Sequence, residues 1–381
     1  VLKIIDREFA KPDETNLDVK EVIVQGITDF LIQEEENAIK KAGLGISTSS
    51  DIKLDVNVFH GTYSSKENDG ICAPIVQRYL EKVLALCLLQ YQNTYIFVNF
   101  LEQTVKQGFA NPRLVITTII ALEFSGSNFI RRLAHEMHRN LHNKHETLVE
   151  SRYIEGLKLS FSRHSSKYPN AVDVNAFKEF YQILCTSRAS KKKFLISLSK
   201  SFNTIDVIKN DVGYCEKYKN YVESVVARLG KVEMSTLEEY YLVCQSINKH
   251  LLKHAATLQD QFELLSSPEQ ENEEIIDSKH QQKILNNSEL ENWKKLAYVS
   301  QSFICLYKYK SFICEQYRIL SSKLRDFNPH RVEKDLLMPL AIGNRKNLRI
   351  EPLCNLSDPN AYGECKNVCS TFIDLFFNKP F

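Results

Sequence analysis

Apolar side chains recur at steps of three and four residues along most of this 381-residue chain. That spacing places them on one face of an α-helix, whereas a half-buried β-strand shows strict alternation. Only 12 glycines and 10 prolines interrupt the pattern. The sequence therefore predicts an all-α protein of amphipathic helices. Each helix can bury its apolar face only by packing against a neighbouring helix.

The pattern predicts helices with ends uncertain by about two to four residues. They cover residues 19–40, 72–90, 92–107, 112–123, 128–143, 146–163, 173–187, 190–203, 213–229, 236–265, 289–325 and 364–378. The polar segments 42–70 and 266–282 are predicted to be mobile loops. Phe372, Phe376, Phe377 and Phe381, near the end of the chain, are expected to pack back on the body.

Residues 112–145 form the clearest repeating unit. Pro112 opens a helix at a position where the first turn tolerates proline, "SGS" at 125–127 marks a turn, and Asn128 is predicted to cap a second helix. An arginine follows early in that second helix. This is the outline of a HEAT repeat, and residues 74–109 give another helix pair of similar length. The predicted fold is a HEAT-repeat solenoid of antiparallel helix pairs.

Five segments are expected along the chain. An N-terminal helix and flexible loop lead into the array, HEAT repeats follow, an acidic linker separates them from a long helical segment that closes the array, and an irregular tail ends the chain. The corresponding residues are 1–70, 71–265, 266–287, 288–338 and 339–381. Because the first residue is Val1, the sequence is expected to be a piece of a longer chain.

Four histidines lie within residues 135–145, and on a helix they share an arc of about 80°. A zinc protease motif needs a second histidine four residues after the first, and Arg139 occupies that position, so this motif is excluded. We interpret the histidines as a solvated or partner-facing ridge. A metal ion held by two of them, with Arg131 on the same side, and a buried histidine network are the alternatives.

A second basic cluster follows Ser187. Ser190 is predicted to cap a helix whose first turn carries three lysines, and cations at that position oppose the helix dipole. The arrangement favours a negatively charged partner such as the DNA backbone, with a solvated basic turn as the alternative. Arg132 and Arg139 share one side of the other helix. The candidate DNA- or partner-binding residues are Arg131, Arg132, His135, His138, Arg139, His142, Arg188, Lys191, Lys192 and Lys193.

Catalytic signatures are missing from the sequence. It contains no phosphate-binding loop, no dinucleotide-binding glycine motif and no nucleophile elbow. The ten cysteines are scattered, without a zinc-finger spacing, which favours reduced thiols in the nucleus or cytosol. No apolar run is long enough to span a membrane. We therefore predict a protein that is not an enzyme and that needs no cofactor or metal.

Five segments, in this order, resemble the cohesin loaders, the adherin or Nipped-B-like proteins of sister-chromatid cohesion. They are "VIVQGITDFLIQEEE", "QGFANPRLVITTIIAL", "NKHETLVESRYIEGLKLSF", "KKKFLISLSKSF" and "LENWKKLAYVSQSFICLYKYKSFICEQY". The resemblance extends over about residues 19–340.

The resemblance implies a curved solenoid, the hook that forms the carboxyl-terminal part of such proteins. The family loads cohesin onto chromosomal DNA and stimulates its ATPase, contacting the kleisin subunit, the ATPase heads and double-stranded DNA. It thus implies a nuclear, chromatin-associated protein. The family's small helical-repeat partner binds the extreme amino terminus and is not expected to bind this chain. Two other functions stay open from the residues alone: a HEAT or armadillo-type peptide adaptor without DNA binding, and a histidine-dependent metalloenzyme.

Overall fold

The fold is seen in a computed structural model that describes residues 2–41, 66–89, 91–163, 171–185, 187–202, 209–266, 287–340, 348 and 362–377. Over these ranges the regular structure is helical, with an isolated β-bridge between Thr236 and Pro339. The predicted all-α class is confirmed. Across the described ranges, no helix combines the length and the apolarity that crossing a bilayer requires. Of the predicted loops and linker, residues 42–65 and 267–286 lie outside the described residues.

The chain forms two compact units, Val1–Ser165 and Ser166–Phe381. The described helices of the first unit are α1 (Leu2–Phe9), α2 (Leu17–Lys41), α3 (Lys66–Cys87), α4 (Thr94–Lys106), α5 (Pro112–Glu123), α6 (Asn128–Glu150) and α7 (Tyr153–Arg163). Those of the second are α8 (Ala171–Leu184), α9 (Arg188–Lys200), α10 (Val212–Leu229), α11 (Leu237–Ser266), α12 (Asn287–Gln316), α13 (Ser321–Asp326), a 3₁₀ helix (Lys334–Leu337) and α14 (Tyr362–Phe376).

The pair α5 and α6 is the predicted repeat unit, and its turn is built from side-chain caps. Asn111 caps α5 by accepting a hydrogen bond from the Arg113 amide (3.0 Å), and Pro112 occupies the first turn as predicted. The cap of α6 is Ser127, not Asn128, because Ser127 has the extended backbone of a cap and its hydroxyl accepts from the Ile130 amide.

Arg131 closes the turn between α5 and α6. Its guanidinium donates to the carbonyls of Ser125 (2.9 Å) and Gly126 (3.2 Å), and also to the Asn128 side chain (3.2 Å). Both carbonyls lie in the turn after α5 has ended at Glu123, so this arginine supplies donors to backbone groups outside the helices. The arginine predicted early in the second helix therefore stabilises the turn of the repeat.

Two predicted helices are each divided in the structure. The helix predicted at 146–163 is broken because α6 continues through a kink at His145 (φ −139°, ψ 43°) to Glu150, and α7 begins at Tyr153. The helix predicted at 289–325 ends at Gln316. There Arg318 takes a left-handed backbone (φ 52°) and the Ile319 amide bonds to the Cys314 carbonyl (2.9 Å). This is a Schellman end in which arginine replaces the usual glycine.

Helix α12 is the centre of the second unit and packs against α10, α11 and α14. Its Phe303 side chain is fully buried, and the rings of Phe372 and Phe376 from α14 lie 5.7 and 6.3 Å from it, centre to centre. The predicted return of these two aromatic residues onto the body is confirmed. Phe377 is 41% exposed, and Phe381 lies outside the described residues. The predicted irregular tail thus contains a packed helix.

Gly156 is a close-contact position and gives a stability test. A Cβ atom at this residue of α7 would lie 2.8 Å from Ile120 Cβ in α5. We expect Gly156→Ala to lower the free energy of unfolding by about 1–3 kcal/mol, because the two helices must separate to admit the methyl group. Thermal unfolding monitored by circular dichroism measures the effect.

Gly26→Ala is the matched control, because a Cβ at this helical glycine of α2 meets nothing within 4 Å. Replacing a helical glycine by alanine without a clash stabilises by up to about 1 kcal/mol. The two substitutions should therefore shift the melting temperature in opposite directions. Equal shifts would contradict the close packing of α7 on α5.

Candidate functional site

A chain of buried polar side chains joins α5, α6 and α7 in the first unit. The Glu123 carboxylate accepts a hydrogen bond from His138 Nδ1 (2.6 Å). The Tyr153 hydroxyl lies 3.1 Å from His138 Nε2 and 2.8 Å from His142 Nδ1. Since a tyrosine hydroxyl has one hydrogen to donate, one ring nitrogen accepts from it and the other donates to it. We call these four residues the glutamate–histidine chain.

The glutamate–histidine chain corrects our interpretation of the histidine cluster as a solvated ridge. His138 is 0% exposed and His142 is 3% exposed, so the buried-network alternative is correct for both. They lie four residues apart on one side of α6, and Tyr153, the first residue of α7, packs against both rings. His135 is partly exposed with its Nδ1 3.8 Å from Glu123 Oε2, and His145 is exposed at the kink.

Burial and neighbouring charges shift the pKa values of residues in the glutamate–histidine chain. Burial alone would raise the pKa of Glu123, but the charge of His138, its hydrogen bond to the carboxylate and the nearby His135 ring outweigh burial and lower that pKa. Desolvation, and then the charge of His138, lower the pKa of His142. Burial raises the pKa of Tyr153. At neutral pH the arrangement therefore keeps Glu123 charged, His142 neutral and Tyr153 protonated.

The side chains of the glutamate–histidine chain can hold protons and can orient three helices. Their hydrogen bonds join them to one another. Within the part of the chain that the structure describes, no group of three or more His, Cys, Asp or Glu side chains is placed to hold a metal ion. A buried carboxylate hydrogen-bonded to a histidine is expensive to disrupt, since removing either partner leaves the other without compensation. We therefore assign it a structural role in fastening α6 and α7 to the end of α5.

The depressed pKa values predict loss of stability in acid. The unfolded state takes up a proton on His142 near its ordinary pKa of 6.5, and the folded state does so only at lower pH, so stability falls as pH drops below about 6.5. Glu123 adds a further loss as pH falls below its ordinary value of 4.5. We expect amide hydrogen exchange in α5–α7, corrected for intrinsic rates, to lose protection between about pH 7.5 and 5.5.

The substitution His142→Gln should remove the loss between about pH 7.5 and 5.5, because the neutral amide does not titrate. His145→Gln, which replaces an exposed histidine of the same helix, serves as the control and should keep that loss. An unchanged pH profile in His142→Gln would show that another group causes the acid sensitivity.

The helix that carries the basic cluster of the second unit is capped three residues earlier than predicted. Ser187, not Ser190, caps α9, with its side chain accepting from the Ser190 amide (3.4 Å). Ser187 has the extended backbone of a cap residue, so its hydroxyl reaches the free amides of the helix. Arg188, Ala189 and Ser190 therefore fill the first turn. The three lysines lie in the second turn, where they oppose the helix dipole less strongly.

Two of the candidate cations in α9 are bound to buried glutamates at the start of α11. Arg188 donates through two nitrogens to Glu238 (2.7 and 2.8 Å), and Lys191 donates to Glu239 and to the Ser235 hydroxyl (both 2.8 Å). Desolvation alone would raise the pKa of Glu239, but hydrogen bonds led by that from Lys191 lower it. Lys191 is only 9% exposed, so its charge compensates a buried carboxylate and is not presented at the surface.

The other two lysines of the basic cluster, Lys192 and Lys193, differ from Lys191. Lys192 donates from Nζ to the carbonyl of Pro329, while Lys193 is exposed. Of the candidates on α6, Arg132 and Arg139 are exposed, and Arg131 is engaged in the turn. The exposed arginines of the predicted set in the first unit are thus Arg132 and Arg139. In the second unit Arg188 and Lys193 are exposed and Lys192 is partly exposed.

A cleft of about 640 Å³ opens beside the first turns of α9. Arg188, Ala189 and Lys192 form one wall, and the segment from Pro329 to Val332 with Leu337 forms the other. A smaller recess of about 140 Å³ shares Arg188, Lys192 and Leu337 with it. Basic side chains therefore line a concave surface that also has apolar walls. We call it the basic cleft.

Comparison with known proteins shows which proteins this chain resembles. Residues 72–250 match the Nipped-B family described as "Sister chromatid cohesion C-terminus". The chain is 32% identical, over 170 residues, to Sister chromatid cohesion protein 2 of Saccharomyces cerevisiae. It is 24% identical over 260 residues to Sister chromatid cohesion protein mis4 of Schizosaccharomyces pombe. Over residues 72–250 the chain therefore resembles the Nipped-B family of sister chromatid cohesion proteins.

The Nipped-B match covers part of much longer relatives. The two alignments include 44% and 64% of this chain but only 11% and 16% of the yeast proteins. A solved structure described as the Chaetomium thermophilum cohesin loader SCC2, C-terminal fragment, matches 99% of this chain and 24% of its own, with a TM-score of 0.63 and 14% identity. That likeness is one of fold, and it agrees with the predicted paired-helix architecture. The predicted resemblance to cohesin loaders is confirmed.

Sequence reasoning missed the acidic partners of the predicted cations and histidines. Glu123 is the last residue of an apolar helix, and Glu238 and Glu239 follow their partners Arg188 and Lys191 by 50 and 48 positions, so no local pattern links them to their cations. One signal was available. Thr236 precedes α11 by one residue and Glu239 lies three further on, the spacing of a capping box, and the Thr236 hydroxyl donates to Glu239 (3.2 Å). His330 and Arg331 carried no signal.

Proposed function

We propose that this chain is a scaffold part of a cohesin loader. In this proposal it binds cohesin subunits and double-stranded DNA in the nucleus, and helps to promote cohesin loading onto chromosomes and to stimulate the cohesin ATPase. The match of residues 72–250 to the Nipped-B family is the observation that carries the proposal. Loading and ATPase stimulation are proposed for the whole protein, since the chain spans 11 to 16% of the length of the two yeast relatives.

The use of charge in the described residues supports a scaffold without a reaction centre. The buried carboxylates Glu123, Glu238 and Glu239 each bond to a cationic or histidine side chain of a neighbouring helix. Such pairs orient helices, and their members are not available as acids or bases toward a substrate. The chain would then act through its exposed helix faces and the basic cleft.

The test of partner binding uses the intact chain. We expect purified, immobilised chain to retain a kleisin fragment, the ATPase heads or both when each is offered separately. An unrelated helical-repeat protein of similar net charge is the control, because it separates specific capture from charge attraction. Retention of neither partner by a chain with a native circular dichroism spectrum would contradict the proposed function.

Binding to DNA should depend on exposed arginines of α6. We expect the pair of substitutions Arg132→Glu and Arg139→Glu to weaken binding to a duplex uniformly across sequences. It should also lower the slope of log affinity against log salt concentration by about 1 for each lost phosphate contact. Titrations of labelled duplex at several salt concentrations measure both quantities.

Lys144→Glu is the control for Arg139→Glu, because it makes the same charge change on another side of the same helix. Changing Lys191, Lys192 and Lys193 together to glutamate is a poorer test. It would leave Glu239 buried without its cation, and weaker binding could then report a damaged fold. Equal effects of the Arg139 and Lys144 changes would exclude a localised DNA contact on this face.

A further inference from the structure

The basic cleft is a built feature whose wall is fastened at both ends. At one end Gln245 of α11 donates from its side chain to the carbonyls of Leu324 (3.2 Å) and Phe327 (2.6 Å). At the other, the Leu340 amide donates to the Ser235 carbonyl (3.0 Å), next to the bridge between Thr236 and Pro339. The segment between these anchors therefore has a defined position opposite α9.

A turn within that segment places its two basic side chains. The Asn328 side chain accepts from the His330 amide (2.9 Å), and the Asn328 carbonyl accepts from the Arg331 amide (3.0 Å). Such local bonds hold the backbone in one conformation. His330 and Arg331 are both exposed and both line the cleft.

The positive charge of the basic cleft is only partly balanced. Glu238 compensates Arg188, but Lys192 donates to a neutral carbonyl. Over the described residues, the Arg331 guanidinium has no hydrogen bond or ion pair, and no acidic side chain lines the larger cleft. Lys192 and Arg331 thus line opposite walls of a concave surface that has no acidic side chain among the described residues. A bound anion would satisfy both.

Apolar groups next to these cations narrow the class of ligand. Val332, Leu337 and Ala189 line the cleft, and Leu242 lines the adjoining recess. A phosphodiester backbone offers charge and sugar edges but no aliphatic side chain for such walls. A volume of about 640 Å³ is in the range of clefts that take a few side chains of a ligand.

We propose that the basic cleft binds an extended acidic peptide of a protein partner, with an aspartate or glutamate between Lys192 and Arg331 and a neighbouring aliphatic side chain against Leu337. The inference rests on the proposed scaffold function, because it names the chemistry of one segment of a protein partner. The carboxylate supplies the missing anion, and burial of the aliphatic group adds apolar contact in the recess.

The probe is a fluorescein-labelled peptide, Ser-Gly-Asp-Leu-Glu-Leu-Asp-Gly-Ser, followed by fluorescence anisotropy on the intact chain. Its control replaces Asp and Glu by Asn and Gln. We expect saturable binding of the acidic peptide at least about tenfold tighter than that of the amide peptide, the ratio typical of losing a charged hydrogen-bond partner. Equal affinity of the two peptides, or no saturable binding, would overturn the proposal.

Arg331→Glu is the decisive variant, because this side chain has no partner among the described residues and its loss should leave the melting temperature unchanged. This variant should weaken binding of the acidic peptide about tenfold. Arg325→Glu, at another exposed arginine of the same region and outside the cleft, should change affinity less than about twofold. Lys192→Met, which removes the charge and keeps the aliphatic stem, should also weaken it.

Labelled duplex DNA is titrated in parallel with the same variants. If Arg331→Glu weakens DNA but leaves the acidic peptide unaffected, the cleft is a phosphate contact and the proposal is overturned. Failure of the peptide arm with cohesin subunits still retained by the chain would remove only the cleft. Peptide binding without retention of any cohesin subunit would instead contradict the proposed function.

Discussion

Mutual burial of apolar helix faces is the interaction on which both units depend, and α5 shows its consequence most clearly. Val115, Ile116, Ile119, Ile120 and Leu122 are each at most 1% exposed, so this helix is covered on several sides by α6 and α7. Burying one such side chain contributes about 1.5–3 kcal/mol, whereas a helix of this length is marginal alone. Close approach on the α7 side is possible because Gly156 has no side chain to hold Ile120 away.

The same burial forces polar groups into the interior and determines their partners. Glu123 ends the most apolar helix of the first unit and is carried inside with it, where His138 supplies the compensating hydrogen bond. In the second unit Glu238 and Glu239 meet cations of α9. Buried pairs of this kind add little net stability over an apolar contact, but they penalise every arrangement that separates the partners. They therefore specify which helices lie side by side.

This internal use of charge changes what the surface offers to partners. Several cations that were predicted to bind a partner instead donate hydrogen bonds to carbonyls or carboxylates within the protein, among them Arg131 and Lys191. The groups left for a partner are fewer and lie in defined places: the exposed arginines of α6, and the basic cleft with Lys192 and Arg331. For a chain that resembles the Nipped-B family and is proposed to act as a scaffold, such separate patches are consistent with different partners docking on different helices. Each patch has its own electrostatic signature.

The apolar period, the scarcity of glycine and proline, and the position of Pro112 were sufficient to predict an all-α fold of paired helices, because those signals are local along the chain. Helix ends were harder where the breaking residue is chemically ordinary, as at His145 and Arg318. The candidate site was predicted by position but not by environment. Which histidines are buried and which lysine is neutralised depended on Tyr153, Glu123 and Glu239, and in the last case the partner lies 48 positions away. Sequence alone determined the helices and their apolar faces; the fate of each charge was decided only in three dimensions, since electrostatic energy depends on distance and burial and not on order along the chain.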